Sequence, residues 1–229
     1  KARYGLMLRE DGMIYDDGTT SRLDENRYFM TTTTAYAAGV MNHLEFCAQA
    51  LWPELDVRLA SVTDQWAQMA VAGPKSRQIL QAIVDTDISN EAFPFLAAAE
   101  VSLFGGQVCG RLFRISFSGE LAYELAVPAG YGDSVADAIM QAGAEHGIQP
   151  YGVEALSVLR IEKGHVTHNE INGTVVPGDL GAVGLVHDAD ESVPDLAEPL
   201  LAGVRVVHAD REDDLVDLGR HGRQVHLDR

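Results

Sequence analysis

The pair Asp16-Asp17 is the first place in this sequence where side chains could do chemistry. It follows the apolar residues 13–15, which would hold both carboxylates at the edge of a packed sheet. A carboxylate that is partly desolvated there has a raised proton affinity, and it suits a general base or a group that stabilises a cation. The alternative is a solvated turn, because Asp-Gly, as at Asp17-Gly18, is a common turn dipeptide.

A second candidate is Glu124, which stands in an otherwise apolar stretch over residues 122–127. A charge in such a strand costs free energy unless it has a partner. Strand alternation puts Glu124 on the face of Ala122, while Tyr123 and Leu125 share the other face. Either the side chain points outward into solvent, or the carboxylate accepts two parallel hydrogen bonds from the edge of an amidine-like heterocycle.

A third candidate is Arg160, in a predicted helix over residues 153–163 that Gly164 would end. Apolar residues flank it, so we expect it to be partly buried and to need an anionic partner, of which a glutamate is the simplest. His165 and His168 are three residues apart but have no suitable third ligand near them in sequence, which disfavours a metal site. No GxGxxG, P-loop or GxSxG motif supports a nucleotide-binding or serine-nucleophile function.

The elements that must position these residues alternate between strands and helices. The patterns predict strands over residues 4–8, 13–15, 28–32, 56–63, 66–72, 100–104, 107–115 and 121–127, and helices over residues 35–51, 76–84, 131–146 and 153–163. Two predicted hairpins, one turning at residues 9–12 and one at Gly105-Gly106, imply antiparallel pairing. The predicted fold class is therefore α+β rather than a doubly wound parallel sheet.

Composition narrows the classes of partner. The 229 residues carry a formal net charge of −17, and the 17 Lys and Arg residues are dispersed, which argues against nucleic acid and anionic membranes. No apolar run approaches the ~18 residues of a membrane helix. Two cysteines, Cys47 and Cys109, lie in apolar stretches without a CxxC neighbour, so we expect reduced, buried thiols in a cytoplasmic protein.

The chain changes character after residue 186. Residues 187–229 contain 11 acidic and five basic residues, with weak hydrophobic periodicity apart from one strand candidate at residues 200–207. We therefore predict a first region over residues 1–186 and a divergent acidic tail over residues 187–229. Because the sequence starts inside a strand pattern, we expect the first region to be N-terminally incomplete.

Four segments, in order, resemble the family of glycine-cleavage T-proteins and folate-dependent oxidase domains. The family's Tyr-containing strand, Gly turn and Asp correspond to residues 4–17. Its Arg-x-Gly-Tyr-Thr-Gly-Glu-x-Gly-Phe-Glu signature corresponds to residues 114–124. Its Leu-Arg-Leu-Glu-x-Gly helix end corresponds to residues 159–164, and its Thr-Pro-x-Asp-Leu-Gly turn corresponds to residues 176–181. Within that family, residues 16–23, 52–57, 63–68 and 168–173 are most similar to the alpha subunits of sarcosine oxidases.

The resemblance implies an aminomethyltransferase folate-binding fold, with antiparallel or mixed sheets flanked by helices and without a recognisable C-terminal β-barrel. It implies an enzyme domain that passes the one-carbon product of sarcosine oxidation to tetrahydrofolate, giving 5,10-methylenetetrahydrofolate. FAD, FMN and NAD would bind in other parts of the complex, whose beta, gamma and delta subunits would be the protein partners. A glycine-cleavage aminomethyltransferase and a non-catalytic folate-binding remnant are the alternatives.

The resemblance also implies roles for the acidic residues. Asp17 matches the carboxylate beside folate N10, where it would stabilise a developing cation or assist proton removal. Asp16 could exchange roles with it, because neighbouring strand residues face opposite ways and the register is open. Glu124 matches the acid that pairs with the pterin edge.

Four further residues match positions that pack on the ligand. Tyr4, Phe117 and Arg160 correspond to ring-packing and tail- or pterin-facing residues of the family. Phe117 replaces the usual Tyr, which deletes one hydroxyl hydrogen bond. Tyr36 stands where the family commonly has Asn, and it would either crowd the pocket or add a stacking face.

Overall fold

The structure is a computed structural model, and it describes residues 1–165 and two short strands beyond them. Its strands are β1 (Ala2–Leu8), β2 (Ile14–Asp24), β3 (Arg27–Met30), β4 (Trp66–Ala72), β5 (Ala98–Leu103), β6 (Val108–Phe113), β7 (Ala122–Pro128), β8 (Arg205–Val206) and β9 (Val216–Asp217). Its helices are α1 (Ala37–Phe46), α2 (Ser76–Gln81), α3 (Gly132–Gly143) and α4 (Val153–Lys163). The predicted α+β class is confirmed.

The chain forms two compact units. The first contains Lys1–Ala2, Ser21–Phe29 and Val62–His165. The second contains, among the described residues, Arg3–Thr20 and Met30–Ser61. The strand order of the first sheet is β1-β2-β3, and the order of the second is β4-β7-β6-β5.

The four-stranded sheet of the first unit is antiparallel, as the hairpin signals predicted. One of its faces supplies the apolar core, to which α2 and α3 add their buried residues. Tyr123, Leu125 and Val127 of β7 are completely buried there. Each such side chain contributes about 1.5–3 kcal/mol through removal from water. Because side chains alternate along a strand, Glu124 projects from the opposite face.

The turn between β5 and β6 is held by one carboxylate. Asp85 accepts hydrogen bonds from the Ser102 hydroxyl at 2.6 Å and from the backbone N–H groups of Gly105 and Gly106 at 2.8 and 2.9 Å. Both glycines have positive φ, 66° and 87°, which glycine adopts without a Cβ clash. The predicted Gly105-Gly106 turn is therefore confirmed, and the Ser102 hydroxyl followed by the two N–H groups holds the pKa of Asp85 below its usual value.

The second unit begins with the predicted hairpin, closed by hydrogen bonds from Arg9 N to Met13 O and from Gly12 N to Arg9 O, both 2.9 Å. Its second arm, however, does not end before the acidic pair. β2 continues to Asp24, so Asp16 and Asp17 lie inside a strand, and the solvated-turn interpretation is wrong.

β2 continues through the acidic pair because Gly18 allows close pairing with the backbone that follows β3. A Cβ at this position would lie 1.9 Å from the carbonyl oxygen of Thr31, so only glycine allows this approach of the backbone that follows β3. The Thr31 N–H donates to Thr19 O at 2.8 Å, and the Thr19 and Thr31 hydroxyls are 2.8 Å apart. The Asp-Gly dipeptide therefore serves strand pairing instead of a turn.

The helical pattern at residues 35–51 is confirmed as a 3-10 turn, α1 and a final π turn at Cys47–Leu51. The strand predicted at residues 56–63 is wrong. This segment is irregular and ends in a 3-10 turn at Thr63–Gln65. Val57 is exposed, and Leu59 and Val62 are only partly buried, so the alternating side chains do not enter the buried core, and alternation without a packing partner does not make a strand.

The bounds of the remaining helices agree closely with those predicted from the sequence. α4 has the predicted bounds, whereas α2 and α3 are shorter than predicted, the latter followed by a 3-10 turn at Ala144–His146. Among the described residues, no helix has the length and apolar character that crossing a membrane requires. Cys47 is buried as expected, but Cys109 is exposed, because it is paired with Ser102 on the face of the β5–β6 hairpin away from the core.

The acidic tail lies outside the described residues except for β8 and β9, which pair antiparallel. β8 falls within the strand predicted at residues 200–207. His168 and the family turn at residues 176–181 also lie outside the described part of the chain.

Replacing Gly18 with Ala should destabilise the protein by about 2 kcal/mol or more, because the new methyl group collides with backbone rather than with a flexible side chain. For a chain of this size that lowers the melting temperature by roughly 4–8 °C. Gly130→Ala is the matched control, since a Cβ there meets no atom within 4 Å. Equal melting temperatures for the two variants in a calorimetric scan would contradict the close approach.

Asp85→Asn should lower stability at neutral pH, and the deficit should shrink as the solution is acidified. The pKa of Asp85 is depressed in the folded state, so its contribution is complete above the unfolded-state value of about 4 and is lost as pH falls through the folded value. Urea unfolding of both proteins between pH 7 and pH 3 measures this. A deficit that stays constant or grows on acidification would show that the carboxylate does not hold the turn.

Candidate functional site

The two neighbouring carboxylates of β2 have different surroundings. Asp16 is only 3% exposed, and its Oδ2 accepts the backbone N–H of Thr33 at 3.1 Å. Asp17 is half-buried, and its Oδ2 accepts the hydroxyl of Tyr4 at 2.7 Å. Asp16 therefore fixes the chain entering the 3-10 turn at Thr34–Tyr36, whereas Asp17 retains partial exposure. This difference favours Asp17 over Asp16 as the residue available for chemistry.

Tyr4 acts as a neutral donor to Asp17. Burial, then the charge and hydrogen bond of Asp17, and then the charge of Asp16 raise the pKa of Tyr4 far above its usual value. The phenol therefore stays protonated throughout the physiological range. The residue is still 38% exposed, so the pair combines a fixed carboxylate with an aromatic side chain that a planar ligand can contact.

Glu124 is half-buried on the face of the sheet opposite the core. Gln68 Nε2 donates a hydrogen bond to its Oε2. Burial raises the pKa of Glu124, and the hydrogen bond from Gln68 lowers it by a smaller amount. Tyr151 is near enough to sense this carboxylate. Burial, and then the charge of Glu124, raise the pKa of the Tyr151 phenol. The carboxylate is thus partly desolvated, and it lies among neutral polar groups.

Sequence reasoning missed Gln68 and Tyr151. The alternation of β4 does place Gln68 on one face with Trp66 and Ala70, which was a usable signal. The register that sets Gln68 beside Glu124, with Ala70 opposite Glu124 and Gln68 opposite Ala126, is a long-range property. Nothing in the local pattern around Tyr151 indicated its place near Glu124.

Phe117 and Arg160, the other predicted site residues of the first unit, both contact His165. Phe117, 38% exposed, has its ring 5.9 Å from the His165 ring, and the Phe117 carbonyl lies 3.1 Å from His165 Nδ1. Arg160 is 5% exposed, confirming its expected burial, and its Nη1 donates to the His165 carbonyl at 3.1 Å. The His165 N–H returns a hydrogen bond to Arg160 O at 2.8 Å.

Among the predicted residues, Tyr4, Asp16, Asp17 and Tyr36 belong to the second unit, and Phe117, Glu124 and Arg160 belong to the first. The structure brings Tyr4 to Asp17 in one unit and Phe117 to Arg160 in the other. Tyr36 is exposed at the end of the 3-10 turn that leads into α1. Its ring is therefore accessible, as stacking on a ligand would require.

A cleft of about 620 Å³ lies elsewhere in the second unit, between the β1–β2 hairpin and α1, and none of the predicted residues lines it. Cys47 and His43 are the two residues of this cleft that could form a reactive pair, because Cys47 Sγ lies 3.9 Å from His43 Nε2. Burial, and then the charge of Glu10, raise the pKa of the Cys47 thiol. A protonated thiol is a weak nucleophile, so this cleft does not displace Asp17 as the chemical candidate.

Comparison with protein families matches residues 1–188 to the GCVT N-terminal domain. Over 181 residues the chain is 84% identical to the sarcosine oxidase subunit alpha of Rhizobium meliloti, covering 79% of this chain and 18% of that protein. It is 50% identical over 182 residues to the sarcosine oxidase subunit alpha of Corynebacterium sp. (strain P-1), covering 79% of this chain and 19% of that protein. The chain thus spans under a fifth of the length of these relatives.

Two further comparisons concern aminomethyltransferases. The chain is 33% identical over 186 residues to the aminomethyltransferase of Staphylococcus haemolyticus, covering 79% of this chain and 47% of that protein. It also resembles the crystal structure of the glycine cleavage system aminomethyltransferase T from Bartonella henselae, with a TM-score of 0.67 over 80% of this chain and 47% of that one. At 22% identity, this second likeness shows the fold alone, and it confirms the fold that the sequence resemblance implied.

Asp17→Asn should lower the pKa of Tyr4 toward the ordinary tyrosine value of about 10, because it removes the adjacent charge that opposes ionisation. Titration of tyrosine Cζ signals by 13C NMR, with Tyr4→Phe for assignment, follows this residue separately. Asp137→Asn, on the exposed side of α3, is the charge-matched control and should leave the Tyr4 signal unchanged. An ordinary titration of Tyr4 in the unmodified protein would contradict the Tyr4–Asp17 pair.

Proposed function

We propose, since this chain belongs to the GCVT N-terminal domain family, that it is the tetrahydrofolate-binding domain of a sarcosine oxidase alpha subunit. In this role it passes the one-carbon product of sarcosine oxidation to tetrahydrofolate, giving 5,10-methylenetetrahydrofolate. The 84% identity to an alpha subunit supports the assignment within the family. The structural observation that carries the chemical part is the half-buried Asp17 carboxylate fixed by the Tyr4 hydroxyl.

Glu124 fits a ligand edge that presents adjacent N–H donors, as a pterin does. Gln68 occupies Oε2 of this carboxylate, and within the described part of the chain no hydrogen bond reaches Oε1. A half-buried carboxylate with an available oxygen gains from a charge-assisted hydrogen bond, since such bonds are roughly twice as strong as neutral ones. We therefore assign Glu124 to binding rather than to chemistry.

Asp17 is assigned to the chemical step. Bound tetrahydrofolate supplies the N5 and N10 amines that accept the one-carbon unit. The hydrogen bond from Tyr4 stabilises Asp17 as an anion and holds its position, which suits stabilisation of positive charge as it develops. Asp16, fixed by Thr33, supports the strand that carries Asp17.

The other predicted residues take supporting roles. The exposed rings of Phe117 and Tyr36 offer packing faces for aromatic parts of the ligand. Arg160 is buried against the His165 carbonyl, so it acts by fixing the chain between residues 160 and 165. We place the folate domain at residues 1–186, distinct from the acidic tail. We assign FAD, FMN and NAD to other parts of the complex, which would also contain the beta, gamma and delta subunits. The complex is proposed to be cytoplasmic.

Calorimetric titration with tetrahydrofolate, kept reduced under argon, tests this assignment on the 229-residue chain. Glu124→Gln should weaken binding by about tenfold to a hundredfold, because a hydrogen bond to a charged group contributes about 1.5–3 kcal/mol. Asp17→Asn should change binding little, but it should slow the protein-dependent condensation of formaldehyde with tetrahydrofolate by about 10²–10⁴-fold. The uncatalysed condensation is subtracted from each rate.

Asp137→Asn is the control for the loss of a carboxylate, and it should leave both affinity and rate unchanged. Failure of the unmodified chain to bind tetrahydrofolate would refute a competent folate site. Binding without any acceleration of the condensation would support a non-catalytic folate-binding module instead. A loss of binding in Asp17→Asn equal to that in Glu124→Gln would reassign Asp17 from chemistry to binding.

A further inference from the structure

We propose that Gln68 is a positioning residue for Glu124, which fixes one oxygen of this carboxylate so that the other is presented to the ligand. This inference rests on the proposed function, and it adds a specificity-determining contact that lies outside the family signature of residues 114–124. Gln68 itself is not assigned a contact with the ligand. It acts through Glu124.

The geometry arises from the register of β4 and β7. Glu124 is opposite Ala70, and Gln68 is opposite Ala126, so the two long side chains occupy diagonal positions on one face. Diagonal neighbours on adjacent strands are within reach of each other when their side chains are long. Both directly opposed residues are alanines, which leave the space between the diagonal pair open. The Gln68 amide therefore reaches Glu124 Oε2 without competition from a side chain directly across.

A surface hydrogen bond could exist without any functional consequence, and stability alone does not distinguish the two cases. The distinguishing property is the orientation of the carboxylate. A glutamate with no fixed contact must lose rotational freedom when a ligand binds, and that loss weakens binding. A donor that holds Oε2 in the free protein removes part of this cost. It also favours the charged form of the carboxylate, which the partial burial of Glu124 disfavours.

The groups that face Glu124 determine how its pKa responds to a substitution of Gln68. β4 contributes neutral Gln68, and β6 contributes apolar Phe113 opposite Glu124, with Arg111 two residues further along. Tyr151, which precedes α4, carries a phenol whose pKa the Glu124 charge raises. Since Gln68 lowers the pKa of Glu124 and burial raises it, removal of the amide should raise the pKa further, whereas a cation in its place should lower it.

The first measurement needs no ligand. Glutamate carboxyl signals of the 229-residue chain are titrated by 13C NMR, with Glu124→Gln for assignment. Gln68→Leu should move the Glu124 titration to higher pH, and Gln68→Lys should move it to lower pH, whereas a purely structural disturbance would move both in the same direction. Gln141→Leu, an exposed glutamine of α3, is the matched control and should leave the titration in place.

The second measurement repeats the tetrahydrofolate titration on the same variants between pH 5 and pH 8. Gln68→Leu should weaken binding about tenfold at neutral pH. The ratio of its dissociation constant to that of the unmodified protein should grow as pH falls, because Glu124 becomes protonated earlier in the variant. Gln141→Leu should bind as the unmodified protein does.

The outcomes separate this inference from the function on which it rests. If the unmodified chain binds tetrahydrofolate and Gln68→Leu binds equally well at every pH, the positioning role is refuted and the proposed function stands. If Gln68→Leu and Gln68→Lys move the Glu124 titration in the same direction or not at all, the contact does not position the carboxylate. If the unmodified chain does not bind, both proposals fall together.

Discussion

The alternation of β7 is the constraint on which the first unit depends. This strand lies between β4 and β6, so both of its edges are paired, and three of its side chains complete the core. Burial of Tyr123, Leu125 and Val127 on one face leaves Glu124 only the other face. A slip by one residue would exchange the two sets and bring a carboxylate into the core, at a cost of several kcal/mol. The same packing that stabilises the sheet therefore orients the proposed binding residue.

β2 applies a similar constraint to the second unit. Its two carboxylates are adjacent in sequence, and alternation gives them separate partners. Asp16 is buried against a backbone N–H, while Asp17 meets the hydroxyl of Tyr4. The close approach at Gly18 keeps this strand continuous through the acidic pair. Strand pairing therefore gives the two carboxylates different surroundings, and the proposed division of their roles rests on this difference.

Asp17 and Glu124, to which roles are assigned, share one electrostatic arrangement. Each is half-buried and each accepts a hydrogen bond from a neutral donor, a phenol in one case and an amide in the other. A neutral donor stabilises an anion without cancelling its charge, which is the property that the proposed roles require of both carboxylates. A lysine or arginine in place of either donor would cancel part of that negative charge.

The sequence by itself determined the elements whose signals are local: the Gly105-Gly106 turn, the bounds of α4, the alternation of β7 and the family motifs around Asp17 and Glu124. It gave wrong results where a local pattern has no meaning without a partner. Residues 56–63 alternate, but none of their side chains is fully buried. Asp17-Gly18 looks like a turn, although Gly18 serves strand pairing. Only the tertiary structure decided that Tyr4 meets Asp17 and that Gln68 meets Glu124. Register and packing between segments distant in the chain place these donors, and no short window of sequence contains that information.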